Sequence, residues 1–254
     1  MPRLHRIAPL IAIASLACAS PSEPERSREP TTSNDAMPTP TLALHPALSS
    51  YLDSLKPELA AIPDERRQTL DQIAAFVAAE HAAGRTAKLV FICTHNSRRS
   101  HMSQVWATVA AALHGIDRVE AYSGGTEATA FNPRAVAALR RAGFEIPEPA
   151  AGDNPHYSLG WASDRPPIEA FSKVYSAPTN PQAEFAAIMN CSEADDACPF
   201  VPGATLRISL AYDDPKQADG TPEEQARYDE RSRQIAAEML YLFAEVAELA
   251  EVAR

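Results

Sequence analysis

Apolar residues recur along this chain with two different periods, and the switches between them mark its elements. Leu70, Ile73, Ala74 and Val77 fall at spacings of three and four between Pro63-Asp64-Glu65 and Gly84, which predicts an amphipathic helix there. Leu52, Leu55 and Leu59 predict one shorter helix just before it. Lys88-Leu89-Val90-Phe91-Ile92 is a short, nearly continuous apolar run and reads as a buried strand. A second helical stripe follows, carrying Met102, Val105, Trp106, Val109, Ala110 and Leu113. Residues 119–123 predict a second strand. Asn132 as cap and Pro133 at the first helical position open a helix with Val136 and Leu139 on its inner face, which Gly143 stops. Phe185-Ala186-Ala187-Ile188-Met189 and Leu206-Arg207-Ile208-Ser209-Leu210 supply two more strands. The last helix begins after Asp219-Gly220 and buries Ile235, Met239, Leu242, Val246 and Leu249. Strands alternating with helices predict an α/β fold: a small doubly wound parallel sheet of four strands with helices on both faces, binding ligand at the carboxyl ends of the strands.

Composition adds an organisation to this pattern. The 254 residues allow one domain with extensions, and the net charge of −10 excludes nucleic acid as a general partner, since phosphate backbones need clustered Lys and Arg. Arg98-Arg99 is too short to make a basic patch, and only Arg99 is given a use by its surroundings. Residues 1–19 read as an export signal: Arg3, His5 and Arg6 precede an apolar run from Ile7 to Ala17 that is too short to span a bilayer. Ala17-Cys18-Ala19 has the small-x-small form of a cleavage site, whereas Ser15-Leu16-Ala17-Cys18 is similar to a bacterial lipoprotein box that would lipidate Cys18. Both endings place the protein in the cell envelope or periplasm, and a lipid on Cys18 would be its one membrane contact. Residues 20–46, rich in Pro, Ser, Thr and Glu, predict a disordered tether, residues 47–84 a helical extension, and residues 85–254 the catalytic domain.

The chemistry concentrates in Cys93-Thr94-His95-Asn96-Ser97-Arg98-Arg99-Ser100, between the first strand and the helix after it. A loop that opens a helix turns free backbone N–H groups and the positive end of the helix dipole toward whatever it encloses, which makes an anion cradle. A cysteine at its start is favoured as thiolate by the same field. Arg99 adds a planar fork suited to two oxygens of a tetrahedral oxyanion. Together these predict nucleophilic attack on phosphate or a phosphate mimic.

A second pair of thiols stands at Cys191 and Cys198, on a small acidic loop after the third strand. Their spacing is too wide for a usual zinc pair, and no histidines cluster nearby to complete a metal site. It suits a disulfide, either redox-active or structural. Asp214, just before Pro215, and its neighbour Asp213 are two carboxylates either of which could protonate a leaving group.

The loop resembles the phosphate-binding loop of the low-molecular-weight protein tyrosine phosphatase superfamily, which includes the thioredoxin-coupled arsenate reductases. Asp214-Pro215, Ser123-Gly124-Gly125-Thr126 and Asn132-Pro133 resemble further motifs of that superfamily, and the likeness runs from about Lys88 onward, fitting less well over the proline-rich residues 145–168. The resemblance implies that Cys93 is the nucleophile, that residues Thr94, His95, Asn96, Ser97, Arg98, Arg99 and Ser100 bind the oxyanion, and that Asp214 protonates a leaving group. It further implies a relay in which Cys93 attacks arsenate, Cys191 attacks Cys93 and Cys198 attacks Cys191. Such an enzyme holds no bound cofactor and draws on an external, thioredoxin-like thiol reductant. The same loop also fits a tyrosine phosphatase or phosphomonoesterase working through a Cys93 phosphocysteine. Lys216 and Gln217 stand where the phosphatase branch often has two tyrosines, which leaves a pocket suited to a bare oxyanion. His95 stands where glycine is typical and Arg98 where many members carry another cysteine, so His95 is expected to narrow the loop's backbone freedom.

Overall fold

Ala43 and its neighbours are already tied into the fold where the computed structural model begins to describe the chain, which it does for residues 42–252. Leu44 bridges antiparallel to Ala162, the His45 N–H donates to the Trp161 carbonyl at 3.0 Å, and the Ser163 N–H donates to Ala43 at 2.9 Å. Residues 42–46, read as the end of the tether, are therefore ordered, because their backbone groups find partners in the segment after residue 160. The export signal, Cys18 and the rest of the tether lie outside the described residues.

Three helices follow: α1 (Pro46–Asp53), α2 (Lys56–Ala60) and α3 (Asp64–Ala82). The single short helix expected over Leu52 to Leu59 is two. Pro57 has no N–H to return to the Asp53 carbonyl, so the helix breaks and restarts around it. The core of the catalytic part then runs β1 (Ala87–Cys93), α4 (Arg99–Leu113), β2 (Val119–Gly125) and α5 (Pro133–Arg141). A small antiparallel pair, β3 (Tyr157–Leu159) with β4 (Ile168–Ala170), comes next. β5 (Phe185–Met189), α6 (Ser192–Ala197), β6 (Ala204–Ser209), a 3-10 turn at Pro215–Ala218 and α7 (Glu224–Val252) complete the chain.

The main sheet has the order β2-β1-β5-β6 with every pair parallel, as the alternation of elements predicted. Its two faces are covered unequally. Leu89, Phe91, Ala186, Ile188 and Ile208 join the large core with residues of α3, α4, α5 and α7. Val90, Ile92, Phe185, Ala187 and Met189 point the other way, against Cys191 and Ala194 at α6 and Val201 beyond it. Full burial of each Val, Leu, Ile, Phe or Met among them stabilises the fold by about 1.5–3 kcal/mol. Leu113 and Leu249, near the ends of α4 and α7 and expected to be buried, are partly exposed. The β3–β4 pair escaped the sequence reading because three-residue strands among prolines show no period. No helix among the described residues is long and apolar enough to cross a membrane.

The helical extension is built into the core, not appended to it. Gly143 adopts φ +105°, and a Cβ there would come within 2.3 Å of the Leu48 nitrogen, so only glycine lets α1 approach the end of α5. Arg66 of α3 reaches further. Its Nε and Nη2 donate to the two oxygens of Glu238 on α7 at 3.1 and 2.6 Å, and its Nη1 donates to the Ala211 carbonyl at 3.0 Å. The guanidinium also lies over the Tyr212 ring, 4.9 Å from its centroid. Replacing Arg66 with alanine leaves the buried Glu238 carboxylate without its cation. Tyr212 Oη and Gln234 Nε2 still donate to it, so the loss should fall near the low end for a broken buried pair, about 3 kcal/mol. Denaturant unfolding of the Arg66→Ala variant measures it, and a loss below roughly 1 kcal/mol would refute the tie.

Candidate active site

The loop from Cys93 to Ser100 is held by its carbonyl oxygens. The Thr126 and Glu127 N–H groups donate to the Cys93 and Thr94 carbonyls at 3.1 and 2.8 Å. The hydroxyls of Thr129 and Ser172 both donate to the His95 carbonyl at 3.1 Å, and the Asn132 N–H donates to Ser97 at 2.8 Å. The backbone N–H groups of Thr94 through Ser100 make no hydrogen bond among the described residues. Carbonyls thus face outward and amides are left for an anion, at the start of a helix whose dipole favours one. Gly125 makes the arrangement possible: a Cβ there would sit 2.7 Å from the Asn96 nitrogen and the Thr94 oxygen.

Asn96, not His95, takes the left-handed conformation, at φ 43°. Asparagine tolerates it, and this one is locked from both ends of its amide: Oδ1 accepts from the Lys173 N–H at 2.9 Å, and Nδ2 donates to Ser100 Oγ at 2.9 Å. His95 therefore does not narrow the loop as expected. Its half-exposed ring turns outward to within 3.8 Å of the Glu127 carboxylate. Ser97 Oγ likewise points away, donating to the Ala130 carbonyl at 2.7 Å.

Cys93 ends β1 almost fully buried, with Sγ 3.1 Å from Ser100 Oγ. A hydroxyl at that distance can donate to a thiolate and stabilise it. Arg99, the first residue of α4, is buried with two of its five N–H groups engaged: Nη1 donates to the Tyr212 carbonyl at 2.8 Å and Nη2 to Asp214 Oδ2 at 2.9 Å. Asp214 caps the following 3-10 turn through Oδ1, which accepts from the Lys216 N–H at 3.0 Å. Its side chain is 22 % exposed, whereas that of Asp213 is 88 % exposed and turns to Arg231. Of the two carboxylates, only Asp214 meets the loop arginine. Arg98 is not a solvated residue: Nε donates to Tyr228 Oη at 3.2 Å and Nη1 lies 3.5 Å from Asp214 Oδ2. Tyr212 and Tyr228, which brace the two arginines, left no mark in the sequence that could have singled them out.

The second pair of thiols flanks a helix where a loop was expected. Cys191 is the cap of α6, its sulfur accepting from the Ala194 N–H at 3.4 Å, and Cys198 ends the helix. The structure brings Cys191 to the loop: its Sγ lies 3.4 Å from Thr94 Oγ1. Burial pushes the Cys191 thiol up, and the Thr94 hydroxyl, the Ala194 amide and the Arg99 guanidinium pull it back. Cys198 is half-buried beside Tyr175, whose hydroxyl is pushed up first by burial and then by that neighbour. Cys93, Cys191 and Cys198 are all free thiols. Seven residues of helical rise separate Cys191 from Cys198 by roughly 10 Å, beyond the reach of a disulfide.

Residues 88–155 match the model of the low molecular weight phosphotyrosine protein phosphatase family. An arsenate reductase from Bacillus licheniformis is 32 % identical over 160 residues, covering 63 % of this chain and 96 % of that protein. The chain belongs to the low-molecular-weight protein tyrosine phosphatase superfamily, with the arsenate reductases among its relatives. Solved structures similar to it include a mutant of Bacillus subtilis YwlE (15 % identity, 63 % of this chain and 97 % of that one, TM-score 0.44). Another is a thioredoxin-dependent arsenate reductase of Corynebacterium glutamicum (17 % identity, 82 % and 98 %, TM-score 0.37).

Below this phosphatase-family loop lies a histidine that the sequence reading passed over. His101 is fully buried in the first turn of α4 and stacks on Phe131 at 4.1 Å, and among the described residues its ring nitrogens lie near the Phe171 and Ser97 backbone without a well-formed hydrogen bond. Burial pushes it down to about 3. The nearby Lys173, buried without a carboxylate partner, is pushed down by burial to about 8. His101 stays neutral in the folded state while the unfolded chain takes up its proton near the ordinary value. The His101 contribution to stability is therefore constant above about pH 6.5 and falls by about 1.4 kcal/mol per unit between pH 6.5 and 3. At pH 5 this amounts to about 2 kcal/mol relative to pH 7. Replacing His101 with asparagine should flatten that part of the pH–stability curve, and an unchanged acid limb would show that other groups drive it.

Proposed function

We propose that the chain is an arsenate reductase that works through Cys93, Cys191 and Cys198 and takes its electrons from an external thiol donor of the thioredoxin type. The observation that carries this reading is the buried Cys191 thiol set against Thr94 of the oxyanion loop, at 3.4 Å. Hydrolysis has no use for a second thiol there. In the proposed sequence the Cys93 thiolate displaces a hydroxyl of arsenate, which takes up a proton from solvent and leaves as water, and the loop amides and free N–H groups of Arg99 hold the remaining oxygens. Cys191 then attacks the Cys93 sulfur. The sulfur–arsenic bond breaks with its electron pair passing to arsenic, so that arsenite departs and a Cys93–Cys191 disulfide remains. Cys198 attacks Cys191, frees Cys93 as thiolate and leaves a Cys191–Cys198 disulfide for the external dithiol to reduce.

A phosphatase reading draws on the same loop. Asp214, in contact with Arg99, is positioned to serve as general acid for a phosphocysteine cycle. Lys216 and Gln217 supply no aromatic wall for a phosphotyrosine ring. The two readings separate in one assay of the full chain, offered arsenate with thioredoxin and its reductase or, separately, an aryl phosphate. Cys93→Ser should abolish both activities. Cys191→Ser should stop repeated arsenate turnover yet leave aryl phosphate hydrolysis nearly unchanged, and Cys198→Ser should accumulate a Cys93–Cys191 disulfide, seen by peptide mapping. Asp214→Asn should slow hydrolysis roughly 10²–10⁴-fold, and Asp213→Asn far less. If Cys191→Ser reduced arsenate as fast as the unmodified chain, the reductase assignment would fall.

Export is part of the proposal, supported by the charged and apolar pattern of residues 1–19. An envelope location requires a thiol donor delivered there, since that compartment supplies few reducing equivalents. Cell fractionation should find the protein in the envelope, with lipid labelling dependent on Cys18 if the lipoprotein box is used. Recovery in the cytoplasm with Met1 retained would refute export.

A further inference from the structure

We propose that Arg207 is a positioning residue that clamps the Cys191–Cys198 segment in its helical, dithiol form, so that closing the disulfide requires releasing the clamp. The inference rests on the relay reading of Cys191 and Cys198. Arg207 lies on β6 opposite Ala187. Its neighbours Leu206 and Ile208 belong to the large core, which places Arg207 on the other face of the sheet, where α6 packs. From there its Nε donates to the Cys198 carbonyl at 2.8 Å and its Nη2 to the Asp195 carbonyl at 2.7 Å. Nη2 also pairs with the Asp195 carboxylate.

Those two carbonyls belong to the last turn of α6, where no further residue of the helix can donate to them. A helix of six residues has almost no stability of its own in water. α6 therefore depends on its end contacts: the Cys191 sulfur on the Ala194 N–H at one end and Arg207 at the other. A Cys191–Cys198 disulfide needs Cα atoms within roughly 4.4–6.8 Å, so the helix must lose at least a turn to form one. That motion carries Cys198 and Asp195 away from Arg207 and takes the Cys191 sulfur from its amide. Arg207 thus favours the dithiol form and makes the disulfide easier for an external dithiol to reduce. It touches neither Cys93, Arg99 nor Asp214, so the clamp acts on the redox step alone.

The full chain, reduced and then equilibrated at pH 7 with mixtures of reduced and oxidised glutathione, provides the test. Closing the disulfide removes two electrons and two protons from the thiols, and one oxidised glutathione becomes two reduced molecules. Alkylation and peptide mapping give the fraction closed. Arg207→Met should raise the equilibrium constant for closure about tenfold, a potential about 30 mV more negative. Asp195→Asn keeps the carbonyl contacts and should shift it in the same direction by less. Aryl phosphate turnover should stay unchanged in both. If the unmodified chain closes the disulfide and neither variant moves the equilibrium, the clamp is wrong and the relay stands. If the unmodified chain never closes it, relay and clamp fall together. A shift matched by an equal loss of aryl phosphate turnover would mark general damage to the fold and overturn the clamp. Should Arg207→Met fail to fold, Asp195→Asn decides alone.

Discussion

The outward turn of the loop carbonyls is the constraint on which the rest of the site depends. Backbone oxygens of Cys93, Thr94, His95 and Ser97 each accept from a group outside the loop, and no anion could be held by the amides if those oxygens turned inward. The donors come from one stretch after β2, residues 126–132, and from Ser172. This explains features that have no chemistry of their own. Gly125 must lack a Cβ for β2 to pass the loop, Asn96 must adopt a left-handed conformation, and Asn132 both caps α5 and donates its N–H to Ser97. The cradle is set before any ligand arrives, so little reorganisation opposes binding.

A second line of support reaches the site from the other edge of the sheet, beyond β6. Arg66 of α3 holds the Ala211 carbonyl and covers the Tyr212 ring, and the Tyr212 carbonyl holds Arg99. Tyr212 Oη donates in turn to Glu238, the partner of Arg66. The segment carrying Asp214 is therefore pinned between α3, α7 and the loop arginine. The extension before residue 85 contributes to placing the active-site fork although it contains none of the reacting groups. Arg98 and Tyr228 add a brace on the far side of Asp214.

Sequence periodicity carried the sheet and most of its helices because β1 and β5 are apolar runs, β6 alternates apolar with polar residues, and α3, α4 and α7 each show a stripe. It failed where an element is too short to have a period. β3 and β4, of three residues each, and α6, of six, are held by tertiary contacts that no local pattern encodes. Cys93 and Arg99 stood out in the sequence because their residue types sit in a strand–loop–helix context, whereas Asp214 was reached only through the likeness of Asp214-Pro215 to a family motif. Tyr212, Tyr228, Arg66 and Arg207 were not, since each acts through partners distant in sequence. His95 looked restrictive because a side chain replaces glycine, yet the left-handed position belongs to its neighbour.

The site combines a rigid half with a yielding one, and the proposed chemistry needs both. The loop half is anchored at nearly every peptide, which suits a cradle whose donors must stay in place through the transition state. The α6 half is held by a sulfur cap, one arginine and the burial of Cys191 and Ala194, and a helix of that length has almost no stability of its own. Thiol–disulfide exchange requires sulfur atoms to travel several ångströms, and a segment as firmly held as the loop could not let them. The smaller hydrophobic cluster beneath α6 fits this division. It buries Cys191 and Ala194 but leaves Cys198 half-buried and Phe200 exposed. The first thiol of the pair therefore faces Thr94 of the cradle while the second is partly open to solvent. That asymmetry is what a relay passing electrons from an external dithiol to a buried oxyanion requires.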